Sequence, residues 1–166
     1  MNIIIYILII VINFIFQSTL LPYMSVFGVL PNTSIIIIVI IALLKGRKVG
    51  SIVGLSMGLL QDIIFSPVIG VNGFIYFFIG YLVGMMESRL SKDNILIPFI
   101  MTAAVTIGYH LFYYLFMFFL AYNINFSAFF KKTILLEMVY NSLLSILVYK
   151  WFSKIFIVPS IRFGRK

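Results

Sequence analysis

The chain is 166 residues long, 63% hydrophobic and 10% charged, with a formal net charge of +8 and no cysteine. So apolar a composition excludes a soluble globular domain, which would have little polar surface to present to water. The absence of cysteine excludes disulfides and thiolate metal sites. There is no RNA-binding aromatic motif and no basic helix free to enter a groove, so the positive charge is read as a membrane-topology signal and not as nucleic-acid binding.

A membrane span takes about 20 apolar residues, so six spans use about 120 and leave room only for loops and a short tail. The expected fold is all-α: a polytopic membrane protein of six transmembrane helices, with residues 1–166 forming a single integral membrane domain. Continuous apolar runs exclude an alternating β-barrel pattern.

Residues 1–44 carry no charge at all. Span 1 covers residues 3–21 and ends at Pro22. With no basic n-region and no small-x-small cleavage site, it reads as a retained span and not a signal peptide. Residues 22–32 are uncharged and contain Gly28 and Pro31. Span 2 opens there, with Asn32, Thr33 and Ser34 as capping candidates, and runs to Leu44. The linker 45–48 carries Lys45, Arg47 and Lys48. Span 3 is 49–65. Residues 66–72, with Pro67 and Gly70, make a turn into span 4 at 73–86. A polar loop, 87–94, precedes span 5 at 95–122. Span 6 is 133–156, followed by Pro159 and a basic tail.

With both termini in the cytoplasm, the inside segments hold Lys45, Arg47, Lys48, Arg89, Lys92, Lys150, Lys154, Arg162, Arg165 and Lys166. Only Lys131 and Lys132, of the twelve basic residues, fall outside. The positive-inside rule therefore orients the chain.

Gly50, Gly54, Gly58 and Asp62 recur every four residues and form one ridge along span 3. Gly73, Gly80 and Gly84 offer a matching ridge on span 4. Glycine lets helix backbones approach closely where lipid removes the hydrophobic driving force. The ridge reads either as a tight span 3–span 4 hairpin or as a dock for a partner helix. Asp62 sits near the outer end of span 3, where it reads as an acceptor for the 66–72 turn or as a ligand or partner contact.

Thr102, Thr106 and His110 make a stripe on span 5, and Glu137, Asn141 and Ser145 make another on span 6. Asp62, His110, Glu137 and Asn141 all fall in the outer half, and they are read as a possible single polar cluster: a buried network fixing helix rotation, or a small-molecule pocket. The run 54–58 matches G-x-S-x-G, but that motif needs a strand–turn–helix elbow, and here it lies inside a glycine-ridged helix. The match is taken as accidental. No H-E-x-x-H metal motif is present.

Several features in order carry a family resemblance. Pro31-Asn32 opens an aliphatic span. The series Gly50, Gly54, Gly58, Asp62 follows, then Gly70-Val71 after a short turn, Tyr81 to Gly84 at the end of the next helix, and Asn141 in the last span. Together with the size and six-span plan, this set resembles MreD, the bacterial rod-shape-determining membrane protein family. Gln61 before the aspartate and the nearly charge-free N-terminus depart from the pattern.

The resemblance implies a non-enzymatic scaffold subunit of the cell-elongation machinery, without cofactor or metal, in the bacterial cytoplasmic membrane. It implies an MreC-like membrane protein as partner, with MreB, RodA and a class B penicillin-binding protein beyond it, in sidewall peptidoglycan synthesis. The six-helix plan also resembles the substrate-binding subunits of energy-coupling-factor transporters. A vitamin-transporter subunit is accordingly the alternative. Those subunits carry Ala-x-x-x-Ala in the first helix, and span 1 here has neither Ala nor Gly.

Overall fold

The computed structural model describes residues 3–25, 28–89, 94–122 and 126–156, and it is built of helices. Helix α1 is Ile3–Ile15; it continues through a π turn, Phe16–Leu20, and a 3-10 turn, Leu21–Met24. Pro22 falls at the start of that last turn, where its fixed φ and missing N–H cost nothing. The others are α2 (Thr33–Phe65), α3 (Val71–Met85), α4 (Leu96–Phe119) and α5 (Phe126–Phe156).

Helix α2 unites the two segments expected as spans 2 and 3, but it is folded in the middle. Asn32 caps it, its side-chain oxygen accepting from the Ile35 N–H at 3.2 Å. At Gly46 the backbone takes φ 79°, ψ −178°, a conformation that glycine enters without a Cβ penalty. A straight helix would separate residues 42 and 50 by about 12 Å. Instead a Cβ built on Gly50 would lie 2.7 Å from the Ala42 Cβ. The limbs 33–45 and 47–65 therefore run back alongside each other.

The first limb is the centre of the bundle. Ile35, Ile36, Ile38, Val39, Ile40, Ile41 and Ala42 are each at most 1% exposed. A helix apolar on every side satisfies itself only when covered on every side; here the second limb returns against the first, and helices α1, α3, α4 and α5 all pack on α2. Among the described residues, three helical stretches are long and apolar enough to cross a membrane on their own: Ile3–Tyr23, Leu96–Phe119 and Thr133–Phe156. Helix α3 is apolar but shorter.

Several expected boundaries move. Pro22 does not stop the first segment, since helical backbone runs through it to Met24, and α4 ends at Phe119, short of the expected residue 122. Helix α3 starts at Val71 and not at residue 73, because Gly70, with φ 104°, turns the chain directly into it. Helix α5 starts at Phe126 and not at Thr133, so Lys131 and Lys132 belong to helical backbone and not to a loop. Two lysines are no barrier to helix, since their intrinsic propensity is high; charge signals the end of a membrane segment, not the end of a helix. Lys92, Pro159 and the tail basic residues Arg162, Arg165 and Lys166 lie outside the described residues.

Candidate functional site: a glycine seam and a buried polar network

The glycine ridge is filled by the protein's own α3. A Cβ on Gly50 would lie 2.7 Å from the Gly80 carbonyl oxygen, and one on Gly58 would lie 2.5 Å from that of Asn72. One on Gly54 would strike the Tyr76 carbonyl. The fit is reciprocal. Side chains added at Gly80 and Gly84 would run into the backbones of Gly50 and Arg47, and one at Gly73 would meet Leu59 Cδ2 at 2.9 Å. Every ridge glycine named from the sequence thus faces the α2–α3 contact, where backbone approaches backbone and van der Waals packing replaces the absent hydrophobic force.

Asp62 closes the seam and is fully buried. Its Oδ2 accepts from the Gly70 and Gly73 N–H groups, both at 2.9 Å. Its Oδ1 accepts from the Asn72 N–H at 3.1 Å and from the Asn72 side-chain amide at 2.8 Å. Three of these donors are backbone groups at the start of α3, which have no intrahelical acceptor. A carboxylate at a helix N-terminus is also favoured by the helix dipole.

The stripes on α4 and α5 face each other, as their spacing required. Thr102, Thr106, His110, Glu137, Asn141 and Ser145 are all buried. His110 Nε2 pairs with Glu137 Oε2 at 2.9 Å. The Asn141 amide donates to Thr106 Oγ1 at 3.2 Å and to Glu137 Oε1 at 3.4 Å. Asn141 Oδ1 accepts from the Asn32 N–H at 2.9 Å, which ties α5 to the start of α2. Asn32 also donates through its side chain to the Tyr76 hydroxyl at 2.8 Å, and that hydroxyl donates to Gln61 Oε1 at 3.1 Å. The two ends of α2, 29 residues apart, therefore meet at one hydroxyl. Pro31, just ahead of Asn32, is buried with it.

The expectation of one cluster joining Asp62 to His110 and Glu137 is corrected. Among the described residues Asp62 bonds its own turn, where four donors occupy its two oxygens. It connects to α4 indirectly, through Asn72, whose side-chain oxygen accepts from the Tyr109 hydroxyl at 2.8 Å. The Tyr109 and Tyr76 rings lie 5.4 Å apart and bridge the two halves by ring contact.

Sequence reasoning missed several members. Asn13 donates to Ser34 Oγ at 3.0 Å, and that hydroxyl donates to Gln17 Oε1 at 2.7 Å, pinning α1 to α2. The signal was present: Asn13 and Gln17 stand four apart in an otherwise apolar segment. Tyr76 and Tyr109 were missed because a tyrosine in an apolar run reads as bulk. Lys45 was read only as a topology charge. Its ammonium donates to the Phe156 carbonyl at 3.0 Å and sits 5.3 Å from the Phe156 ring centroid. A cation at the C-terminus of α5 is favourably placed. Tyr81, read as a family-matching position, is half-buried, with the Arg47 guanidinium 6.0 Å from its ring centroid.

Ser56 donates to the Ile52 carbonyl at 3.0 Å within continuous helix. That is the back-bond usual for a mid-helix serine, and the elbow a nucleophile needs is not formed there. Among the described residues no group of three His, Asp or Glu side chains is placed to hold a metal ion.

Interhelical hydrogen bonds in membranes contribute on average about 0.6 kcal/mol each. The polar network therefore fixes helix rotation and register more than it supplies stability, which comes mainly from the glycine seam and the covered aliphatic limb. These features define a helical membrane protein in which buried polar contacts join neighbouring helices. Over residues 1–155 the chain matches the family described as rod shape-determining protein MreD, and it belongs to that family. The resemblance read from Pro31 to Gly84, from Asn141 and from the size of the chain is thus a family match over nearly its whole length. Comparison with curated proteins and with solved structures finds no match.

Proposed function

We propose that this protein is a non-enzymatic scaffold subunit of the bacterial cell-elongation machinery. It holds an MreC-like single-span protein in the cytoplasmic membrane, and through it serves sidewall peptidoglycan synthesis with MreB, RodA and a class B penicillin-binding protein. Family membership gives the cellular process. The observation that most supports a scaffold within it is the saturation of Asp62. The acid best placed in the sequence for chemistry has both oxygens occupied by four donors of the adjoining turn. It maintains shape instead of meeting a substrate.

The same reading takes six membrane segments: α1, the two limbs of α2, α3, α4 and α5, with both termini cytoplasmic. Two contacts favour that orientation. Gly84 at the end of α3 packs on Arg47, and Lys45 bonds the end of α5. The basic linker and the ends of two later helices thus share one end of the bundle, as the positive-inside rule requires. The transporter alternative gains no observation.

The test is co-purification of the tagged protein from its own membranes, together with rescue of rod shape in a deletion strain. An MreC-like partner in the eluate and restored rods are expected. A deletion strain of normal shape, or a protein that retains a small molecule and no such partner, refutes the scaffold.

A further inference from the structure

At the basic end of the bundle a cavity of about 510 Å³ opens between the α2 reversal and the end of α3. Its lining includes Lys45, Arg47, Lys48, Val49, Met85 and Glu87. Three cations and one carboxylate leave the lining with a net positive charge. Topology signals are ordinarily solvated side chains with no defined partner. Two of these are held in place: Lys45 by the Phe156 carbonyl and ring, and Arg47 over the Tyr81 ring. The floor is fixed as well, since Gly84 sits against the Arg47 backbone with no room for a Cβ.

The cavity is also amphipathic. Val49 and Met85 border the cations, and Met85 and Leu82 on α3 are about half exposed (48% and 58%). A free inorganic anion has no use for apolar lining; a molecule with a charged head and a hydrocarbon tail uses both. We propose that this cavity is a binding site for the phosphate headgroup of an anionic phospholipid, its acyl chains leaving over Met85 and Leu82. Basic pockets between helix ends at the cytoplasmic face take such headgroups by charge and hydrogen bonding. Arg47 supplies a planar donor fork suited to phosphate, and Lys48 a mobile point charge. Glu87 is the one carboxylate among the cavity's lining residues, its Oε2 lying 3.7 Å from the Cβ position of Gly46.

The inference rests on the orientation given above only for naming the leaflet. Headgroup binding by purified protein is independent of the scaffold role, so the two readings fail separately.

The experiment is native mass spectrometry of delipidated full-length protein in a neutral detergent, titrated with phosphatidylglycerol, phosphatidylcholine or inorganic phosphate. Phosphatidylglycerol should bind and the other two should not compete with it. Near a phosphate surface the loss of one basic residue weakens binding about fivefold. Arg47→Gln with Lys48→Gln should therefore weaken binding about thirtyfold, or about 2 kcal/mol at 1.4 kcal/mol per decade. Lys48→Gln alone, at an exposed position that leaves the fold untouched, should weaken it about fivefold. Lys150→Gln with Lys154→Gln removes the same charge from α5, outside the cavity, and should leave affinity within about twofold. Equal losses in both double variants would show diffuse surface charge and overturn the site. Displacement by inorganic phosphate, or equal binding of phosphatidylcholine, would overturn the lipid.

Discussion

Replacing Gly54 with alanine is the smallest perturbation that interrogates the seam. The new methyl group would press on the Tyr76 carbonyl oxygen, with the carbonyl carbon at 2.8 Å and the Phe77 nitrogen at 3.3 Å. All three are backbone atoms and none can rotate away. Carbon contacts are comfortable at about 3.5–4.0 Å, so α3 must retreat by about 1 Å. That retreat also loosens Gly50 against Gly80 and strains the bonds from Asp62 to the start of α3. Overpacking of this kind typically costs about 1–3 kcal/mol. For a chain of this size each kcal/mol shifts the melting temperature by about 2–4 °C. Relative to a glycine-to-alanine change without that clash, the expected fall for Gly54→Ala in detergent is therefore about 2–12 °C. Gly108→Ala is the matched control: it also lies mid-helix, but nothing stands within 4 Å of its Cβ position. Both substitutions gain the same helix propensity, about 0.5–1 kcal/mol. The difference between them isolates the steric effect. If Gly54→Ala melts with Gly108→Ala, or above the parent, the seam is not a close backbone contact and the argument fails.

Asp62→Asn should destabilise despite its equal size. Asparagine offers one carbonyl oxygen, so its amide would confront two of the four donors now bonded; at about 1–3 kcal/mol per unsatisfied group this amounts to about 2–6 kcal/mol. An unchanged melting temperature would show that the charge and second oxygen are dispensable. The chain has no cysteine, so single-cysteine labelling has no background. Ile69→Cys, on the exposed turn before α3, should react with an impermeant thiol reagent in intact cells, and Ser88→Cys should react only after permeabilisation. The reverse pattern would invert the topology.

The glycine spacing revealed which residues share a face, and the structure places that face where the matching ridge on α3 predicted it. The two polar stripes were legible for the same reason: a period of four on two neighbouring helices leaves few ways to satisfy buried polar groups. What the sequence concealed is which faces meet across long separations. Nothing local shows that Asn32 reaches Asn141, or that Lys45 finishes a helix 111 residues later. The fold at Gly46 was hidden for another reason. Charge marked the 45–48 segment as a linker, but a linker read from charge carries no geometry. Only the positive φ shows that the chain reverses there without a loop. Tyr76 and Tyr109 show the limit of a hydropathy reading, which weighs the ring and overlooks the hydroxyl.

The tie between Asn32 and Asn141 has a consequence for how the protein is made. The backbone N–H of Asn32 finds its acceptor on a side chain 109 residues downstream. At about 5–20 residues per second, the ribosome needs about 5–22 s to supply it. Throughout that interval the Asn32 N–H lacks the acceptor it has in the finished fold. Helix α5 therefore supplies, after the other described helices have been made, the acceptor that completes the start of α2.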